Sequence, residues 1–162
     1  MNKLLVVCGL GLANIGATQA FAVENSNRVE GRGTTAKAWA LIGDFCGIKT
    51  WHPAIQSCIL SEKDGAKIRT LIAKDGATFV EKLLKWDDQG TSYTYEILSS
   101  PLPVTHYIST LKVEDDDEPG KVAITWSSSF EPAGASEDTA RKAVSDVYLA
   151  GLLHLKAELK SQ

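Results

Sequence analysis

The sequence carries no surplus of charge in either direction. Lys and Arg number 17 against 20 Asp and Glu, a formal net charge of −3 over 162 residues. No basic stripe is present to hold a phosphate backbone, which excludes nucleic acid as a partner. Apolar residues at 44% and charged residues at 23% also exclude a disordered tail, a coiled coil and a multi-span membrane protein. Internal repeats, low-complexity tracts and interdomain linkers are missing, and the length is that of one domain. Spacings that carry chemistry are missing too. There is no Gly-rich phosphate loop, no Ser-His-Asp arrangement and no cofactor box. The three histidines, His52, His106 and His154, fall on separate segments with no metal-ligand spacing. No cofactor, metal or catalytic residue is expected.

Cysteine is scarce, three residues in all, and the first lies in a segment that reads as an address. Met1-Asn2-Lys3 is followed by the uncharged run LLVVCGLGLANIGA and by Ala20-Phe21-Ala22, a small-x-small cleavage signal. The run is too short and too glycine-rich for a membrane span of ~20 residues. Residues 1–22 are therefore expected to be a cleaved secretory signal, the alternative being an uncleaved anchor. The mature chain, 23–162, would then be periplasmic, with no membrane anchor left. It holds 16 basic against 20 acidic residues, a charge of −4. Its length suffices to bury roughly two-thirds of the unfolded chain's surface. Cys46 and Cys58 remain, an even pair that an oxidising compartment makes a disulfide candidate. Two buried free thiols are the alternative, because bonding requires Cα atoms within about 7 Å.

The order of elements is informative. Residues 28–33 read as a short strand, and TTAKAWALIGDF places Ala38, Leu41, Ile42 and Phe45 at helical spacing, with Thr34 or Thr35 as cap. GIKTWHP is a second short turn of helix, stopped by Pro53. Thereafter the period changes to two. Ile55 and Ile59 are expected on one face of a strand that ends in the Lys63-Asp64-Gly65-Ala66 turn. KIRTLIA, TFVEKLLKWDD, TSYTYEILSS, VTHYISTLKVE and KVAITWSSSFE follow as strands joined by short turns, which favours antiparallel pairing. An amphipathic helix over 136–160 closes the chain, with Ser136 as N-cap and Glu137 and Asp138 in its first turn. The expectation is an α+β fold, β-α-α-β6-α, in which a curved antiparallel sheet wraps the long C-terminal helix.

In this order, AWALIGDFCGIKTWHPAIQSC, TYEILSSPLPVTHYISTLKV and KVAITWSSSFEP resemble the SRPBCC superfamily. These are the START-like, polyketide cyclase/dehydrase-type helix-grip proteins. With an export signal in front, the chain is similar to the MxaD-type periplasmic proteins of methanol oxidation. The resemblance implies a cavity between sheet and long helix. Small residues, Ser109, Thr125 or Ser127, Ser128 and Gly151, are expected at inward positions, which agrees with open space there. The alternative is that Trp126, Tyr95, Tyr107 and Tyr148 fill it. The superfold hosts transport, enzymatic and regulatory roles, so function must be argued from the site.

The candidate ligand-binding residues are Trp51, Tyr95, Tyr107 and Trp126 as walls, His52 as polar anchor, and Tyr148 and Leu152 from the helix. The other reading of the Trp51-His52-Pro53 cluster packs Trp51 in the core and leaves His52 in solvent. A thiol nucleophile at Cys46 or Cys58, with His52 and Asp44, would need a free thiol and is disfavoured by export. Residues 115–118 read as an exposed acidic hairpin tip that could face a cationic partner. Glu81 and Glu96 lie on strands with no direction assigned, and serines 127–129 read as sheet surface. The expected function is non-enzymatic binding of a small hydrophobic or aromatic molecule. The alternative is an accessory protein that contacts a periplasmic dehydrogenase or cytochrome by its surface, and the third is a cyclase- or dehydratase-like enzyme.

Overall fold

Alternation with a period of two builds most of the molecule. The computed structural model describes residues 22–160, and the segment read as an export signal, up to residue 21, lies outside the described residues. Seven strands form one antiparallel sheet: β1 (Val23–Arg32), β2 (Ile55–Lys63), β3 (Ala66–Ala73), β4 (Thr78–Asp87), β5 (Ser92–Ser99), β6 (Val104–Asp115) and β7 (Lys121–Pro132). Their order is β1-β7-β6-β5-β4-β3-β2, so every neighbouring pair except β1 and β7 is a hairpin. Three helices complete the expected α+β order: α1 (Thr35–Ile42), α2 (Ile48–Trp51) and α3 (Glu137–Lys160). Among the described residues, 23–160 carry the sheet, the three helices and the core between them.

The caps and turns follow from side-chain chemistry. Thr34, rather than Thr35, caps α1 by accepting from the Lys37 amide at 3.3 Å. Ser136 caps α3 by accepting from the Thr139 amide at 3.3 Å. Asp64 and Gly65 both have positive φ, 52° and 75°, as a two-residue hairpin turn between right-twisted strands requires. Register shifts interrupt the β2–β3, β4–β5 and β6–β7 pairs, and irregularities of this kind bend strands locally.

One of those shifts corrects the sequence reading of β2. Ile55 is buried, but the irregularity between Ile55 and Ser57 reverses the alternation and leaves Ile59 58% exposed. Cys58, paired with inward-facing Leu71, then points back towards the first helical segment. There it forms a disulfide with Cys46, the two Cα atoms lying 5.6 Å apart. The bond closes a short loop around α2 and contributes about 3 kcal/mol in the chain-entropy account. Both sulfurs are consumed, so no thiol nucleophile exists at this site.

The core lies between the concave face of the sheet and α3, whose Ala140, Val144, Tyr148, Leu152, Leu155 and Leu159 are buried. Gly151 sets how closely the helix approaches. A Cβ there would stand 2.7 Å from His52 Cδ2 and 2.8 Å from Trp51 Cζ3, so only a residue without a side chain lets α3 rest on those rings.

Candidate functional site

Tyr93 and Tyr95 on β5, Tyr107 and Ser109 on β6, and Trp126 and Ser128 on β7 all face inward. Paired strands place them side by side, because directly opposed residues in a ladder share a face. Tyr148 of α3 lies flat on Trp126, with ring centroids 4.4 Å apart and planes at 10°. Trp51 meets Trp126 edge-on at 5.7 Å and donates its indole N–H to the Ile42 carbonyl at 3.1 Å.

A hydrogen-bond chain runs through this aromatic layer, and its direction can be worked out. Trp126 Nε1 can only donate, and it does so to Ser109 Oγ (3.0 Å) and Tyr95 Oη (3.1 Å). Ser109 spends its one hydrogen on the Ser127 carbonyl at 2.8 Å, so at the 2.8 Å contact with Tyr148 the tyrosine donates. Tyr107 must then donate to the Tyr148 oxygen. Tyr95 accepts from Trp126, and its own hydrogen finds no acceptor among the described residues. Burial holds Tyr95 and Tyr107 well above the ordinary phenol range and pushes Tyr148 up to about 12, so all three stay protonated.

These side chains fill the space that small inward residues had suggested would be open. What remains is a crevice of about 30 Å³ between the sheet, α2 and α3. That is room for one or two waters, against several hundred Å³ in a typical ligand pocket. Tyr95, Tyr107, Trp126, Tyr148 and His52 line it, while Trp51 and Leu152 stand in the core away from it. Its mouth is apolar, formed by half-buried Phe79, Ile97, Leu102 and Val147.

His52 differs from both sequence readings. It is 4% exposed, hence not in solvent, and neither ring nitrogen is left to anchor a ligand. The Ala54 amide can only donate, so Nδ1 accepts from it at 3.2 Å, and Nε2 carries the hydrogen towards the Val147 carbonyl at 3.0 Å. The ring therefore ties α2 to α3. Burial lowers its pKa, and the Val147 bond opposes that only in part. Proton uptake thus favours the unfolded chain. The stability His52 contributes is complete above its unfolded value of 6.5 and is lost as pH falls from there through the folded-state value. Urea midpoints followed from neutral to mildly acidic pH are expected to decline, and His52→Gln is expected to lose part of that slope. Superimposable profiles would show that the ring is not held neutral.

Sequence reasoning missed the most polar element of the interior. Arg69 of β3 is fully buried, and its Nε donates to Glu81 Oε2 of β4 at 2.5 Å. Its Nη1 donates to the Phe45 carbonyl, and the guanidinium lies 4.1 Å from the Phe45 ring and 5.0 Å from that of Tyr95. Burial alone would lower the Arg69 pKa. The charge of Glu81 and its hydrogen bond oppose this, and the guanidinium is held above its ordinary value. Burial pushes the Glu81 carboxyl up, against the pull of Arg69. Glu81 also lines the crevice, and its Oε1 takes no hydrogen bond among the described residues. A signal was available: Arg69 shares its strand face with Leu71 and Ala73, so a charge stood in an apolar register.

The remaining candidates are dispersed. Glu96 pairs with Lys82 at 2.9 Å on the outer face. His106 is largely exposed beside Glu131, and His154 pairs with Glu158 at 3.7 Å. No group of residues able to hold a metal ion occurs among the described residues. Ser128 faces inward, whereas Ser127 and Ser129 belong to the outer face. The acidic tip is half neutralised from within: Asp116 pairs with Arg28 at 2.6 Å and Glu118 with Lys121, while Asp115 accepts a hydrogen bond from the Thr35 hydroxyl.

Residues 23–160, the span that builds this sheet, helix and crevice, match the model of a family described as polyketide cyclase/dehydrase and lipid transport. The chain belongs to that family. It is accordingly an SRPBCC helix-grip protein. It is similar to the protein XoxI from Bacillus cereus, with 32% identity and a TM-score of 0.78 over 84% of this chain and 94% of that one. An uncharacterized protein from Bacillus thuringiensis is 33% identical, with a TM-score of 0.78, 85% of this chain and 98% of that one being covered. The Zhui aromatase/cyclase from Streptomyces sp. R1128 shares the fold at 16% identity and a TM-score of 0.67, over 86% of this chain and 94% of that one. A search of curated protein sequences finds no match.

Proposed function

We propose that this SRPBCC protein is a non-enzymatic periplasmic binder of a small apolar or aromatic molecule, taken up in the crevice between the sheet and α3. The make-up of the crevice supports the reading. An apolar mouth leads inward to two residues with hydrogen-bonding capacity to spare, the Tyr95 hydroxyl as donor and Glu81 Oε1 as acceptor. A ligand with an apolar body and one hydroxyl or amine complements both. On this reading the structure is the closed form of the site, and uptake moves the half-buried Phe79, Ile97, Leu102 and Val147 outward. Acid–base chemistry is disfavoured, because both nitrogens of His52 serve the backbone and Glu81 is held by Arg69.

Naphthol, an aromatic body with one hydroxyl, is a suitable probe because the stacked Trp126 reports on the crevice wall. Saturable quenching of tryptophan fluorescence is expected, weakened at least about tenfold by Val147→Trp at the mouth, a loss of ~1.4 kcal/mol of binding free energy. Absence of saturable binding, or indifference to Val147→Trp, would remove the reading. One observation favours the second reading, an MxaD-like accessory role exerted by surface contact on a periplasmic dehydrogenase or electron-transfer partner. The interior is already filled by the protein's own hydrogen-bonded aromatic side chains.

A further inference from the structure

The end of the molecule away from the crevice mouth collects positive charge on a chain whose net charge is negative. Arg32 at the end of β1, Lys37 on α1, and Lys156 and Lys160 on α3 rim two adjoining shallow depressions of about 330 and 440 Å³. Lys121 completes the second. Among the described residues, Arg32, Lys37, Lys156 and Lys160 enter no ion pair, whereas the cations at the acidic tip, Arg28 and Lys121, do. Carboxylates share this end: Glu30 lines the second depression and is turned to Arg28 at 3.5 Å, Glu118 is paired with Lys121, and Glu158 lies 3.7 Å from His154.

The same stripe of α3 is apolar one turn further back. Leu149 and Leu153, four residues apart and thus on one face, are 37% and 57% exposed. Lys156 and Lys160 fall within about a quarter-turn of them at 3.6 residues per turn, which puts leucines and cations on one outward surface. Leu149 and Leu153 are the large apolar side chains exposed on α3, the other exposed ones, Ile59, Leu60, Leu84, Leu98 and Ile108, lying on the sheet. A surface that is anionic at its face and apolar just beneath satisfies both groups.

We propose that this surface docks the protein reversibly on a bilayer containing anionic phospholipid. The two depressions take phosphate groups of neighbouring lipids, and Leu149 and Leu153 enter the boundary between headgroups and acyl chains. Docking is peripheral, since no described helix is long and apolar enough to cross a membrane. The proposal goes beyond the crevice reading and stands without it.

The chain from Val23 onward, mixed with vesicles of phosphatidylglycerol in phosphatidylcholine, is expected to co-sediment at low salt and to be released at high salt. Pure phosphatidylcholine vesicles should leave it in solution. Lys156→Glu with Lys160→Glu, and separately Leu149→Ser with Leu153→Ser, should each weaken binding at least about tenfold, or ~1.4 kcal/mol. All four sites are on the outside of α3, and unchanged thermal melts would confirm that the variants fold. Failure to bind the anionic vesicles, equal binding to neutral ones, or undiminished binding by both variants would overturn the proposal. Binding to poly-glutamate without binding to vesicles would overturn it in favour of an acidic protein partner.

Discussion

Glu81→Ala is expected to cost about 3–5 kcal/mol of unfolding free energy, the range for breaking a buried ion pair from one side. The guanidinium of Arg69 would keep its charge in a fully buried position with only the Phe45 carbonyl and aromatic faces for company. Its Nη2 already lacks a hydrogen-bond partner among the described residues, so no spare acceptor exists to take over. Arg69→Met combined with Glu81→Leu is expected to recover most of the loss, because apolar side chains of similar volume carry no desolvation cost. Urea unfolding of the two variants decides the matter. A single-site loss below about 1 kcal/mol would mean that the pair is hydrated and that the interior is less closed than described.

Trp126→Ala should be comparably severe, about 3–5 kcal/mol, because it removes the largest fully buried side chain and leaves a cavity. It breaks the stack on Tyr148 and the edge contacts with Trp51 and His52. It also strips Tyr95 and Ser109 of a shared donor. The vacated space has the shape of an indole, with acceptors waiting where its N–H would lie. Added indole is therefore expected to raise the thermal midpoint of Trp126→Ala in a concentration-dependent manner. Naphthalene, of similar shape but without the N–H, should do so more weakly. Trp126→Phe keeps the stack and loses only the donor, so it should fall between the native chain and alanine. If indole and naphthalene rescue equally, the hydrogen-bond chain adds nothing to the packing.

Much of this architecture was legible before any coordinates. Strand alternation, turn residues such as Asp64-Gly65 and the capped C-terminal amphipathic helix are local signals and most form where their pattern stands, but the first strand, read over 28–33, runs from Val23 to Arg32. Long-range facts were harder. The reversal of alternation in β2 depends on one irregular residue step, which no periodic pattern announces. The partner of Glu81 lies on the neighbouring strand, so its direction became clear only once the β3–β4 register placed Arg69 opposite it. His52 looked like a surface group or a ligand anchor because its carbonyl partner, Val147, is 95 residues away. Whether the grip would be open or filled turned on how closely α3 approaches the sheet. Gly151 was visible as a small residue, but it was read as making room for a ligand. In the folded protein it makes room for Trp51, His52 and Trp126.

The central claim is that the crevice between sheet and α3 takes up a small apolar molecule. Native mass spectrometry of the protein isolated from its own cells, set against the same sample denatured, tests it most directly. An added mass that is lost on denaturation, and that fails to appear with Val147→Trp, is the predicted result. A bare mass from repeated preparations, identical for both proteins, would contradict the claim and leave the outer surface as the working part of the molecule.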